Sequence, residues 1–395
     1  MKHSTLFLAG SAVAIAIVGP AVMSSAADRL PVRSIPAAPV PDNVPIAFLM
    51  DLSSGQILYS RNPDTRFVPA SVTKVMTAYT AFKLIGEGHI SPVTQLVVSQ
   101  ELADKWSGEG SSMFLQARDR VTIGQLLLGV TTVSGNDAAV MLAQSATGSL
   151  DNWLKMMNAN AAALGMRNTH FGTPNGWMDE GHTYTSARDL AMLADALTQS
   201  YPELYHRYFG HHRMTYNNIQ QVNHDPVTGI VEGADGIKTG YTRQAGYNVL
   251  GSAQRGGRRL VVVIAGAPTP NDRNRTVREL LEWGFQAFTS RELLAGGIEV
   301  GSARVQGGSA MSVPLRTAAP VMASQAPGEV IQQPSLEVRY SGPLTAPIRK
   351  DQPVATLRVT VPGQQPHDVP LLSEVSVGPA NFFQRLRNGI FGVLS

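Results

Sequence analysis

Apolar and polar positions change period along the chain in a way that outlines one mixed domain. Near the start of the ordered pattern, "AFLMDLSSGQILY" carries two short apolar runs around Ser53-Ser54-Gly55, the mark of a β-hairpin. From Ser71 the spacing switches to three and four residues. "SVTKVMTAYTAFKLI", "TIGQLLLGVTTVS", "AAVMLAQSA", "LDNWLKMMNANAAALGM" and "SARDLAMLADALTQ" each predict a helix on that spacing. Alternation returns in "AGYNVLGSA" and, past the turn Gly256-Gly257, in "RLVVVIAGA", and "DRNRTVRELLEWGFQAF" closes the region as a helix. A hairpin, a helical middle, a second hairpin and a closing helix predict an α/β domain over 42–293. Its sheet is mainly antiparallel, flanked by helices and built from both ends of the segment.

Beyond Leu294 the helical spacing stops. Short alternating runs such as "LEVRY" and "VATLRVTV" between Gly, Pro and Ser turns predict a small all-β domain over 294–379, with Ala318 to Pro334 as an insertion or loose loop inside it. The last stretch, 380–395, "ANFFQRLRNGIFGVLS", plots as a short amphipathic helix: Phe382, Phe383, Leu386, Ile390, Val393 and Leu394 share one broad face, with Gln384, Arg385 and Asn388 opposite. Such a helix is too short to span a bilayer. It lies in a membrane interface or docks on the β-rich domain.

At the other end, Lys2, an apolar run from Leu6 to Val18, the Gly19-Pro20 break and the small residues Ser24 to Ala27 form the pattern of a secretory signal peptide over 1–27. The alternative, an uncleaved membrane helix, also exports the body of the protein. A proline-rich leader, 28–41, follows.

Composition narrows the function. Lys and Arg number 32 against 29 Asp and Glu, a formal charge of +3, too small and too scattered for a nucleic-acid groove. The absence of cysteine excludes disulfides, thiolate metal sites and cysteine nucleophiles. His206, His211 and His212 cluster, but no carboxylate stands at ligand spacing, so they are read as surface residues and no metal or organic cofactor is expected. Trp177, Trp283 and the methionines are read as core.

In "PASVTKVMTAY", Ser71 is either a helix cap or a nucleophile. A helix beginning at Ser71 places Lys74 at i+3, on the same face and within reach of the hydroxyl. A serine nucleophile needs a base, and lysine serves only where burial or a neighbouring cation leaves its amine neutral. Taken alone, Ser-x-x-Lys is a weak signal. Downstream, "TTVSGNDAA" contains Ser134-Gly135-Asn136, which also reads as an ordinary interhelical turn, and "GADGIKTGYT" contains Lys238-Thr239-Gly240, which also reads as an exposed strand entry.

The three motifs together, in this order, form the set shared by penicillin-binding proteins and class A β-lactamases. The chain resembles the low-molecular-mass penicillin-binding proteins of the serine-type D-alanyl-D-alanine carboxypeptidase family. "SSMFLQARDRVTIGQLLLGVTTVSGNDAAVMLA", "YTSARDLAMLADAL", "DGIKTGYTRQAGYNVLGSA" and "LLEWGF" carry the resemblance, which is strong from Ile46 to Phe288 and weaker in the β-rich tail. It implies a β-lactamase/transpeptidase-like fold and removal of the terminal D-alanine from peptidoglycan stem pentapeptides.

The resemblance also implies roles. Ser71 attacks the terminal D-Ala-D-Ala bond, Lys74 takes its proton, and Ser134 relays a proton to the leaving nitrogen. Asn136 holds the acyl-chain amide, and Lys238 with Thr239 binds the substrate carboxylate. Backbone N–H groups of Ser71 and Tyr241 form the oxyanion hole, and Gly240 lets the substrate backbone approach. β-Lactams are implied as covalent inhibitors. The same family favours the membrane for the C-terminal helix, which implies a periplasmic enzyme attached peripherally to the outer face of the cytoplasmic membrane.

Two positions depart from the family pattern: Tyr241 stands where many members have histidine, and His224 where relatives often carry arginine. Glu180 is the nearest candidate for the water-activating glutamate of a β-lactamase, yet no segment between Ser134 and Lys238 reads as its loop. Carboxypeptidase therefore ranks above D,D-endopeptidase or β-lactamase. A non-enzymatic cell-wall binding or scaffolding protein would not need Lys74 beside Ser71.

Overall fold

The computed structural model describes residues 35–326, 333–362, 366–382 and 384. The expected signal peptide, the first part of the leader, and residue 383 and residues 385–395 of the expected C-terminal helix lie outside the described residues. Pro36–Leu52 with Ile57–Ala287 forms one compact unit, and the chain from Phe288 onward belongs to a second.

The first unit opens with β1 (Ile46–Asp51) and β2 (Gln56–Arg61), then a 3-10 turn (Ala70–Thr73) running into α1 (Lys74–Gly86). A predominantly helical middle follows: β3 (Gln95–Val97), α2 (Gln100–Trp106), β4 (Arg120–Thr122), α3 (Ile123–Thr132), α4 (Asn136–Thr147), α5 (Leu150–Ala163), α6 (Ala187–Ser200) and α7 (Pro202–Tyr208). A small hairpin, β5 (Arg213–Tyr216) and β6 (Ile219–Val222), leads to β7 (Ala234–Thr242), β8 (Gly246–Arg255), β9 (Arg258–Ala267) and α8 (Pro270–Ala287).

The five-stranded sheet runs β2-β1-β9-β8-β7, so the two hairpins meet at β1 and β9, which pair antiparallel with Phe48 opposite Val263. The strand β9 is buried almost throughout, because both faces of the sheet are covered. Alternate residues Val261, Val263 and Ala265 enter the core made by the helical middle. The intervening ones face α8: Val262 and Val277 crowd one side of Gly251, and Leu260 and Leu49 meet at Gly284. At the centre of the helical core, α1 is buried on nearly all sides.

Serine and threonine caps start several helices: Ser99, Thr122, Ser149 and Ser186 each accept a backbone N–H from the first turn, and Thr122 forms a reciprocal capping box with Gln125. Ser71 does not. It lies one turn upstream of α1, whose own N-cap, Thr73, makes no side-chain cap. The helix thus begins three residues later than expected, at the lysine itself.

The second unit is all β. Its strands are β10 (Thr289–Leu294), β11 (Glu299–Gln306), β12 (Ser312–Thr317), β13 (Val321–Gln325), β14 (Ser335–Arg339), β15 (Leu344–Thr345), β16 (Pro353–Thr360) and β17 (His367–Ser373). Six form a sheet in the order β14-β16-β17-β12-β11-β15, and β10 pairs with β13. Inward residues such as Ala303, Val313, Leu315, Leu357, Val359 and Leu371 make its core. The loose loop expected over Ala318–Pro334 is corrected in its first half. β13 is a strand because Val321, Ala323 and Ser324 are buried on pairing with β10, although small residues conceal the alternation.

Candidate active site

Four segments of the first unit converge on Ser71. The 3-10 turn presents the hydroxyl, and the preceding Ala70 sits at φ +50°, a left-handed conformation that a side chain resists. One turn on, the Lys74 ammonium nitrogen lies 2.9 Å from Ser71 Oγ, 2.8 Å from Asn136 Oδ1 and 2.7 Å from the Asn175 carbonyl oxygen. The lysine is fully buried. Burial, and next the Lys238 cation, hold its pKa well below the ordinary lysine range, with Asp137 opposing.

This contact set decides the direction of the proton. A neutral amine has two N–H donors and one lone pair. Asn136 Oδ1 and the Asn175 carbonyl can only accept, and the orientation of Asn136 is fixed by its Nδ2, which donates to the Glu109 carbonyl at 3.0 Å. Both N–H groups are therefore used. The lone pair that remains faces Ser71 Oγ, so the hydroxyl donates to Lys74 in the neutral state.

Ser134 forms the bend between α3 and α4, at φ +62°, and its buried Oγ has no hydrogen-bond partner among the described residues. Its neighbour Asn136 opens α4. The expected interhelical turn and the expected motif are thus the same structure. Asp137, which sequence reasoning passed over, pins this turn. Its carboxylate accepts from Ser112 Oγ at 2.7 Å and from the N–H groups of Met113 at 2.8 Å, Leu115 at 3.0 Å and Ala138 at 2.9 Å. An acidic residue in the first turn of a helix was the available signal, but only the fold shows that it grips residues 112–115.

The segment 173–177 was also missed. Asn175 supplies the carbonyl to Lys74, and Thr77 Oγ1 donates to the Pro174 carbonyl at 2.5 Å. Gly176, at φ +72°, lies so close to the serine turn that a Cβ there would fall 1.9 Å from the Ala70 oxygen. The Pro174-Asn175-Gly176 triplet marks a turn in the sequence, without indicating what the turn touches.

On the opposite side, Lys238-Thr239-Gly240 lies within the edge strand β7. It is not an exposed strand entry: Lys238 and Thr239 are both buried. Lys238 donates to the Thr239 carbonyl at 2.9 Å. Its pKa falls to about 7, mainly through burial and then the Arg273 cation, with Asp225 opposing. A Cβ on Gly240 would come within 2.4 Å of the Pro69 oxygen and 3.1 Å of Ser71 N. The protein's own serine turn is thus one source of the crowding that requires glycine at this position.

Arg273, on α8, is a buried cation that the sequence reading did not include. Its guanidinium bonds the neutral Asn274 side chain at 2.9 and 2.8 Å and packs over the Tyr247 ring. Tyr241 is half-exposed and stacks on Tyr247 with ring centroids 4.2 Å apart. His224 is exposed, and desolvation, Lys238 and Arg273 in that order lower its pKa. Lys238 and Arg273 therefore concentrate positive charge on one side of Ser71, and His224 adds to it only when protonated.

Glu180 is exposed at φ +58°, with no hydrogen bond to any site residue, so the geometry gives it no hold on a water at Ser71. His206 and His212 are exposed, His211 Nε2 donates to the Arg207 carbonyl, and no metal-holding group of His, Asp or Glu occurs among the described residues. Trp177 is not core as expected. It is half-buried and packs edge-on against Trp106 at 5.7 Å, while Met178 and Met311 are exposed. Trp283 is likewise only partly buried and donates to the Pro36 carbonyl.

A buried, neutralised lysine on a serine hydroxyl, inside a helical core closed by an antiparallel sheet, defines a serine acyl-transfer enzyme that works without histidine. Residues 42–269 match the D-alanyl-D-alanine carboxypeptidase family, and 288–378 match the penicillin-binding protein 5 C-terminal domain. The chain belongs to that carboxypeptidase family. It is 35% identical to D-alanyl-D-alanine carboxypeptidase DacD of Escherichia coli over 90% of this chain and 92% of that protein. Penicillin-binding protein 5 from Haemophilus influenzae superposes with a TM-score of 0.68 at 32% identity, covering 87% of this chain and all of that one. Penicillin-binding protein D2 from Listeria monocytogenes, in its cefotaxime-bound form, gives 0.56 at 28% identity over 62% of this chain and 97% of the other.

Proposed function

We propose that the chain removes the terminal D-alanine from peptidoglycan stem pentapeptides through an acyl-enzyme on Ser71, and that β-lactams acylate the same oxygen. The observation that carries this is the Lys74 contact with Ser71, whose lone pair is left free by two acceptor-only neighbours. In acylation, Ser71 Oγ bonds to the carbonyl carbon as its proton passes to Lys74. The tetrahedral oxyanion rests on the N–H groups of Ser71 and Tyr241. The C–N bond then breaks, D-alanine leaves as the amine, and the proton it needs comes from Lys74 through Ser134. Water reverses the sequence, releasing the shortened peptide and restoring the hydroxyl.

Asn136 holds the acyl-chain amide, and the cations beside Lys238 and Thr239 hold the substrate's terminal carboxylate. That requirement explains why Arg273 is buried with no carboxylate within bridging distance among the described residues. Among the described residues no glutamate side chain bonds Ser71 or Lys74, which favours a slowly hydrolysed penicilloyl adduct, and so carboxypeptidase over β-lactamase.

The organisation we infer is a signal peptide (1–27), a leader (28–41), the catalytic domain (42–293), a β-rich domain (294–379) and an anchoring helix (380–395). It places the enzyme in the periplasm, on the outer face of the cytoplasmic membrane. The test of the chemistry is labelled penicillin: the wild type acquires covalent label at Ser71, and Ser71→Ala acquires none while staying folded, because Ser71 caps no helix. Label on Ser71→Ala would remove Ser71 from the mechanism.

A further inference from the structure

The turn that gives Lys74 its carbonyl continues directly into an aromatic surface. Asn175 Oδ1 accepts the Trp177 N–H at 3.1 Å, which fixes where the indole leaves the turn. The ring comes down on Gly110. A Cβ there, at φ +60°, would lie 2.9 Å from Trp177 Cζ3 and 3.0 Å from Asn136 Nδ2, so the indole and the Asn136 amide border the same small space. Trp106, the last residue of α2, braces the ring edge-on, and the Lys105 ammonium stands 5.9 Å from the Trp106 ring centre. Both indoles are only partly buried, neither indole N–H is used within the described residues, and Met178 extends the apolar surface at 65% exposure.

A rigid half-buried aromatic pair with unused N–H donors is a surface for an aliphatic chain that ends in a polar group. Its position decides which chain. Asn136 is where the acyl part of the substrate passes, and the terminal carboxylate lies away from it, at Lys238. We propose that Trp177, braced by Trp106, is a specificity-determining residue that binds the side chain of the substrate residue preceding the D-Ala-D-Ala pair, and selects long aliphatic side chains with polar ends. This deepens the function proposed above and rests on it.

The test uses the purified full-length chain and two capped tripeptides, N-acetyl-L-Ala-D-Ala-D-Ala and its analogue with Nε-acetyl-lysine in the first position, with D-alanine release as readout. Trp177→Ala should raise KM for the lysine-type peptide about ten-fold, leave its kcat within about two-fold, and change KM for the alanine peptide by less than about two-fold. Trp177→Phe should retain most of the discrimination. Acylation by 6-aminopenicillanic acid, which has no acyl side chain, should slow by less than about two-fold and reports that the site is intact. Equal losses on both peptides, or slowed acylation by 6-aminopenicillanic acid, would show that Trp177 merely braces Asn175 and Lys74 and would overturn the proposal. An unchanged KM for the lysine-type peptide would overturn it too. Failure of the underlying function is separate: the wild type itself would then release no D-alanine and take no label at Ser71.

Discussion

At the residue scale the site works by ionisation, and the two lysines have opposite requirements. Lys74 must be neutral to accept a proton, whereas Lys238 must be charged to hold a carboxylate. Burial lowers both; next, the Lys238 cation lowers Lys74 further and the Arg273 cation lowers Lys238 further. Lys238 titrates at about 7, so the carboxylate-binding charge is present below that pH and is lost as pH rises through it. His224 is depressed below its ordinary 6.5, so its charge is lost earlier. KM for a D-Ala-D-Ala peptide should therefore climb in two stages, one below 6.5 and one around 7, in assays from about pH 5 to about pH 9. His224→Gln should remove the lower stage and keep the upper one. A single stage common to wild type and variant would take His224 out of the site.

The site is assembled at the scale of elements, through close approaches rather than long side chains. β7 can lie against the serine turn only because Gly240 has no Cβ, and the segment 173–177 only because Gly176 has none. Gly240→Ala should force β7 away from Pro69 and Ser71. The expected result is penicillin acylation slowed by at least about ten-fold, with a stability loss of about 1–3 kcal/mol by thermal unfolding. Wild-type acylation rates would show that the strand yields without disturbing Ser71. The helices themselves were legible because their apolar spacing spans ten residues or more, as in α3, α5 and α6. The short α2, the β5–β6 hairpin and β13 were not. Seven residues or fewer carry too little periodicity, and pairing with a distant partner decides their state.

For the whole molecule, the proposal is that residues 380–395 bind the membrane and that the β-rich domain holds the catalytic domain at a distance from it. Among the described residues no helix is long and apolar enough to cross a bilayer, so the attachment under test is an interfacial one. Deleting residues 381–395 should release the protein into the soluble periplasmic fraction, with unchanged carboxypeptidase activity on small peptides. Membrane association that survives the deletion, once the signal peptide is shown to be cleaved, would refute the anchor. Lost activity or folding would favour a helix docked on the β-rich domain.

The sequence by itself determined the class of enzyme, the three motifs in order, and a mainly antiparallel sheet built from both ends of the first domain. These depend on local spacing and on residue identity, which one dimension records. It could also place Lys74 within reach of Ser71, because i and i+3 are neighbours on any helical turn. Only the tertiary structure decided that Asn136 and Asn175 occupy both donors of that lysine, that Asp137 clamps residues 112–115, that Arg273 adds a buried charge, and that Trp177 leaves the core to stand beside Asn136. Each of these joins residues far apart in the chain. Their effect comes from exclusion of water and from contacts of about 3 Å, which exist only once the segments have packed.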